Sequence, residues 1–349
     1  MNTEVIKVSL GDFDFYDKID RAAKVINQGG LVVFPTETVY GLGADATNPI
    51  AAKKIFEAKG RPSDNPLIIH VSDPKEAENY TLTNDIYYKL AERFMPGPLT
   101  IVLPSKETIP KETRGGLDTV AVRCPENQIA RELILASGKP IAAPSANLSG
   151  TPSPTNVSHV IDDMYGRVDV IIDGGSSDFG LESTIVKIEN DESITLLRPG
   201  KITVEDLRHV CDRVNIADAV TGKLKEGDVA LSPGMKYRHY APQAPLMLLD
   251  GDRDSIGAYI SQFSRKNVAV IAYEDDILYL KSKIPHARFY SFGKKDDEKE
   301  QAHNLFNILR EADKENYEQI YAPLPRKAGV GLALYNRMIR AAAHKIVKL

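Results

Sequence analysis

The chain has 349 residues, 42% of them hydrophobic and 26% charged, with a formal net charge of −4. That length exceeds one ordinary core and points to two domains. The balance of 44 basic against 48 acidic residues argues against a protein that coats nucleic acid, because neutralising phosphates requires a basic surplus.

The first elements are legible from spacing. Ile19, Ala22, Ala23 and Ile26 recur at helical intervals, and Gly29-Gly30 ends that helix. The run LVVF at 31–34 reads as a buried strand, followed by PTETVYGLGAD, read as a loop of hydroxyls, one carboxylate and glycines. Asn48-Pro49 opens the next helix, with Asn as cap and Pro in the first turn. This helix closes on Lys59-Gly60-Arg61, and the rigid turn Pro62-Ser63-Asp64-Asn65-Pro66 leads into a strand bearing His70. Taken alone, Lys59 and Arg61 are what a helix dipole asks of a C-terminus.

A tyrosine-bearing helix at 84–94 stops at Met95-Pro96-Gly97-Pro98, and the strands LTIVL and TVAVR follow, the second ending at Arg123. After a helix at 126–136, PIAAPSANLSG breaks at Pro144 and presents Ser145 and Asn147. TPSPT at 151–155 reads as the cap of a helix containing His159. VDVIIDGG, GLESTIVKI and ITLLRPG are strands, the last two too closely joined for a parallel crossover and hence a hairpin. Thr203 with Asp206 has the spacing of a capping box. The expected fold is α/β, an open twisted mixed sheet with flanking helices. From about 247 the pattern alternates regularly, LMLL, VAVIAY, ARFYSF, QIYA and KIVKL with helices between, as in a smaller Rossmann-like parallel domain.

No phosphate-loop, H-E-x-x-H, G-x-S-x-G or C-x-x-C motif is present. What recurs instead is a set of cations, hydroxyls and amides at strand ends or in adjoining loops, where open α/β sheets bind ligands. Such groups suit a polyanion plus a small polar molecule. No apolar run nears the roughly 20 residues that span a bilayer. MNTEVIKVSLGDFDF lacks the pattern of a secretory signal, and Cys124 and Cys211 fit no metal-ligand spacing. These features point to the cytoplasm.

K-G-R at 59–61 and S-A-N at 145–147, with PTETVYGLG before them and SPGMKYRHYAP after, resemble the L-threonylcarbamoyladenylate synthase family in its long form. The resemblance implies a YrdC-like catalytic domain over 12–205, a linker over 206–246 that closes over the active site, and a C-terminal domain over 247–349. It implies conversion of L-threonine, bicarbonate and ATP to threonylcarbamoyl-AMP and pyrophosphate, with Mg²⁺ accompanying the nucleotide and no metal held by the protein itself. The product would pass to a tRNA threonylcarbamoyl transferase complex. By motif, Lys59, Arg61, Ser145 and Asn147 would be catalytic. Lys59, Arg61, Asn65, Thr119, Ser145, Ser153, Arg198 and the linker's Tyr237 would bind ATP. Thr38, His70, Arg123, Ala143 and Ser183 would line the threonine site, Ala143 through its backbone. The competing expectation is a non-catalytic RNA-binding or ribosome-associated factor using the same cations.

Overall fold

A computed structural model describes residues 2–223, 239–263 and 267–349, and these divide into two compact units. The first is built on an eleven-stranded sheet in the order β1-β8-β2-β3-β7-β4-β6-β5-β9-β10-β11. Its strands in chain order are β1 (Glu4–Lys7), β2 (Val32–Phe34), β3 (Gly41–Asp45), β4 (Ile68–His70), β5 (Leu99–Pro104) and β6 (Thr119–Arg123). They continue with β7 (Ile141–Ala142), β8 (Val170–Asp173), β9 (Thr184–Asn190), β10 (Ser193–Arg198) and β11 (Arg213–Ile216). Parallel and antiparallel pairs mix, and β9 and β10 form the expected hairpin.

Helices α1 (Phe15–Asn27), α2 (Pro49–Lys59), α3 (Asp85–Phe94), α4 (Lys111–Arg114), α5 (Gln128–Ser137), α6 (Val157–Met164) and α7 (Val204–Arg208) flank the sheet. The apolar faces of α1 and α5 share one core with residues of β1, β2, β7 and β8. Caps follow the sequence closely. Asn48 accepts from Ile50 and Ala51 N–H, and Thr203 with Asp206 completes both bonds of its capping box. At α6 the cap is Asn156, which accepts from His159 N–H, and not the TPSPT hydroxyls.

The stretch at 41–45 is strand and not loop. Two glycines hide it, because small residues without a branched Cβ carry no strand signal. They are needed there: a Cβ on Gly43 would lie 2.7 Å from both Ile141 Cγ2 and Phe34 Cε1. Two further segments join the sheet. Glu4–Lys7 pairs with β8, and Arg213–Ile216 runs parallel to β10 as an edge strand.

The second unit centres on a five-stranded, fully parallel sheet, β14-β13-β15-β12-β16. Its strands are β12 (Leu246–Asp250), β13 (Val268–Ala272), β14 (Arg288–Ser291), β15 (Gln319–Pro323) and β16 (Ile346–Lys348). The helices are α8 (Arg253–Phe263), α9 (Glu274–Lys283), α10 (Glu298–Asp313) and α11 (Gly331–Ala341). Ile256, Ile260, Leu280 and Ile284 of the α8–α9 layer pack on Leu249, Val268, Val270 and Tyr321 of one sheet face. Tyr240 stacks on Phe306 at 5.2 Å, and the Arg337 guanidinium lies 5.6 Å from its ring centre.

Candidate active site

Alternation along the strands puts polar groups on one face of the larger sheet. His70 is in register with Arg123, and Ile68 with Ala121. Val102 and Pro104 oppose Ala121 and Thr119, so Thr100 lies on that side too. Ile185 is in register with both Thr100 and Arg198, which brings Ser183, two residues earlier, to the same side. The sequence suggested a rim of strand ends. The arrangement found is a face, because Thr119 begins the strand that Arg123 ends. Between them Ile68, Val102, Ala121 and Ile185 form an apolar patch, against which Ala217 and Ala219 pack.

Lys59 is the last residue of α2 and only 3% exposed. Its ammonium donates to the carbonyls of Ser145 and Asn147, each at 2.5 Å. Gly60 takes a left-handed φ of 59°, which lets Arg61 N–H return to Phe56 O at 2.9 Å. Ser149 N–H reaches Lys59 O, so the helix end and the Ser145–Asn147 turn are clamped together. Within that turn Ser145 Oγ donates to Asn147 Oδ1. Beyond it, Arg61 Nη2 makes long contacts to the carbonyls of Asn65 and Pro66, at 3.4 and 3.3 Å. Both polar atoms of the Asn65 amide are buried, with no hydrogen-bond partner among the described residues. A buried polar group of this kind needs a partner from outside the chain, a ligand or a water.

On the shared face Arg123 is 4% exposed, and its Nη2 donates to Glu37 Oε1 at 2.6 Å. Glu37 is equally buried and also accepts from Asn127 N–H. Beside this pair, His70 Nδ1 lies 3.3 Å from Ile141 O. A carbonyl only accepts, so the proton sits on Nδ1 and Nε2 is the acceptor. Burial, reinforced by the positive charge of Arg123, lowers the His70 pKa from 6.5 to about 3. The imidazole is therefore neutral near pH 7. Ala143 N–H is bonded to Ile68 O at 2.8 Å.

Thr36 gives its proton to Val39 O, so the Thr38 hydroxyl is the donor in the Thr36–Thr38 contact of 2.8 Å. Thr38 keeps its lone pairs for an incoming N–H or O–H. Arg198 Nε and Nη2 donate to Ser183 O and Ser183 Oγ, and that hydroxyl also meets Thr100 Oγ1 at 2.8 Å. Ser153 Oγ donates to Glu182 Oε1, next in the chain to Ser183. Thr119 stands apart from these networks, at the far end of β6 from Arg123. Tyr237 lies outside the described residues.

The His70 environment sets a pH dependence. Its folded pKa lies below its unfolded one, so below pH 6.5 the unfolded chain binds a proton that the folded chain refuses. Stability should fall on acidification from about 6.5 toward 3, with a slope of up to about 1.4 kcal/mol per pH unit. Urea titrations between pH 7 and 4 check this. If His70→Asn has the same slope as the parent, His70 is not the source.

Residues 24–200 match a family model described as "Telomere recombination", and residues 202–343 match one described as "Threonylcarbamoyl-AMP synthase, C-terminal domain". The threonylcarbamoyl-AMP synthase of Pyrococcus abyssi is 45% identical over 95% of this chain and 96% of its own length. That of Bacillus subtilis is 41% identical over 95% and 94%. The chain belongs to the threonylcarbamoyl-AMP synthase family. A crystal structure of P. abyssi Sua5 complexed with L-threonine superposes with a TM-score of 0.89 at 42% identity, covering all of both chains. The threonylcarbamoyl-AMP synthase resemblance read from K-G-R and S-A-N is thus correct, and so is the α/β fold expected with it.

Sequence reasoning gave no site role to Glu37, Thr36, Thr100 and Glu182, which hold Arg123, Thr38, Ser183 and Ser153 respectively. Glu37 had a signal. It is the only charge between Leu31 and Ala44, and a lone carboxylate in such a stretch needs a cation from elsewhere in the chain.

Proposed function

We propose that this chain forms threonylcarbamoyl-AMP from L-threonine, bicarbonate and ATP on the polar face of its first unit, as a nucleotidyltransferase. The observation that carries the reading is Arg123, preorganised by Glu37, the residue before Thr38, and set beside neutral His70 on the same face as Arg198 and Ser183. Arg123 has Nη2 held by Glu37 and Nε directed to Gly97 O at 3.4 Å. Its Nη1 is engaged by no described residue and suits the threonine carboxylate. Thr38, as acceptor, and Ser183 take the amino acid's other polar groups. A site that pairs its own buried groups with the substrate hydroxyl rejects analogues lacking it.

Threonine amine and bicarbonate give the carbamate with loss of water. A carbamate oxygen then attacks the α-phosphorus, and the bond to the bridging oxygen of the leaving pyrophosphate breaks. This is chiefly positioning and electrostatics. In the proposal Lys59 and Arg61 offset phosphate charge, while Ser145, Asn147, Asn65, Thr119, Ser153 and Arg198 hold the nucleotide. The Asn65 amide, with no partner among the described residues, is suited to a ligand's donor and acceptor together. His70 orients the amine end through Nε2. With a pKa of about 3 it is too weak a base to take the amine proton.

Mg²⁺ would accompany the ATP phosphates and share the neutralisation of their charge with Lys59 and Arg61. Of the linker expected over 206–246, residues 224–238 lie outside the described residues; Ala217 and Ala219, resting on the apolar patch, support a linker that covers the face and limits water. The product would pass to a tRNA threonylcarbamoyl transferase in the cytoplasm.

The test is pyrophosphate release from ATP, with mass detection of the adenylate, with and without threonine and bicarbonate. Release that ignores both would overturn the proposal. Arg61→Ala should cost about 2–4 kcal/mol of transition-state stabilisation, by analogy with the loss of one preorganised donor. A folded variant with parental kcat/KM would remove Arg61 from the site.

A further inference from the structure

The second unit contains a cavity that the proposed chemistry does not use. It has a volume of about 140 Å³ and opens at the carboxyl ends of the parallel strands β12, β13 and β15. Its place follows from topology. β12 and β13 each lead into the α8–α9 layer, whereas β15, which lies between them, leads into α11, which packs with α10. Adjacent strands whose connections leave to opposite sides part at their ends, and open parallel sheets bind ligands in that crevice.

The walls are of two kinds. The interior is apolar, with Leu249, Ile260, Val270 and Leu280 among its lining, while Arg253, Lys295 and Arg326 stand at the mouth with one lining carboxylate, Asp276. The three cations come from three different connections, so no single helix end accounts for them. Arg326 is partly compensated by Glu298 at 3.0 Å, and Arg253 by Asp254 at 3.6 Å. The Lys295 ammonium forms no ion pair among the described residues. A dry cavity of about 150 Å³ accepts one aromatic ring, and exposed cations around an apolar slot favour an anion attached to that ring.

We propose that this crevice is a second ligand site, for a small molecule that places a ring in the slot and a phosphate at the cations, the class of nucleoside monophosphates. It is separate from the substrate face of the first unit and is formed wholly by the second.

Hydrogen-exchange mass spectrometry on the full chain with AMP tests this, with adenosine and inorganic phosphate as separate arms. AMP should slow exchange in peptides covering 246–256, 268–280 and 319–327, and neither half-ligand should match it at equal concentration. Lys295→Glu and Arg326→Glu should each weaken that protection about tenfold or more, while threonine-dependent pyrophosphate release persists. Lys295→Glu is the safer variant, because it breaks no ion pair among the described residues. Protection confined to first-unit peptides, or unaltered in both variants, would overturn the proposal. Protection by phosphate alone equal to that by AMP would overturn the ring-binding part.

Discussion

Arg123→Ala is expected to lower the unfolding free energy by about 3–5 kcal/mol, the usual cost of stranding one member of a buried ion pair. Both partners are nearly inaccessible, and the Nη2 to Oε1 contact is 2.6 Å. Without the guanidinium, Glu37 keeps a contact to Asn127 N–H at 3.4 Å but has no counter-charge among the described residues. The loss should be read by urea denaturation at neutral pH. Glu37→Gln paired with Arg123→Met should recover most of it, since replacing a whole buried pair by uncharged groups is often close to neutral. Threonine dependence would not recover, because the carboxylate clamp is gone. Arg123→Ala with parental stability would show that Glu37 finds compensation elsewhere.

The second large effect is expected at Lys59. Lys59→Met keeps the length and apolar stem of the side chain but leaves the carbonyls of Ser145 and Asn147 without their donor. A hydrogen bond to a charged group contributes about 1.5–3 kcal/mol, so a stability loss of about 3 kcal/mol is expected. Turnover should fall by about a hundredfold or more, as removal of one preorganised electrostatic group does elsewhere. If the variant lost turnover but no stability, Lys59 would act on substrate alone and not through the turn. If neither changed, the clamp would be incidental.

These two sites show what could be read from the chain and what could not. The helix spacing of α1, the Asn48 and Thr203 caps and the β9–β10 hairpin were legible because each depends on residues a few positions apart. The alternation of β12 to β16 with helices was legible for the same reason. Strand β3 was not, because its glycines are chosen for close approach to Phe34 and Ile141, contacts that no local pattern records. The cations at 59, 61, 123 and 198 stood out singly, but their partners did not. Glu37 is 86 residues from Arg123, and Ser145 is 86 from Lys59. Only the order of strands decides which of many carboxylates and carbonyls each cation meets. The same holds for the face shared by His70, Arg123, Thr100 and Arg198, which alternation generates only once the registers are known.

The order of the larger sheet also bears on how the chain is made. β1 and β2 are not neighbours, and the strand that sits between them, β8, begins at Val170. A nascent chain leaving the ribosome must therefore hold its first strand in waiting until more than 160 residues have been added. Pairings this distant in sequence form slowly and leave strand edges open meanwhile. A stalled chain ending before Val170 would present those edges to chaperones or to other copies of itself, whereas the second unit, whose strands all follow residue 245, could begin forming as soon as it emerged.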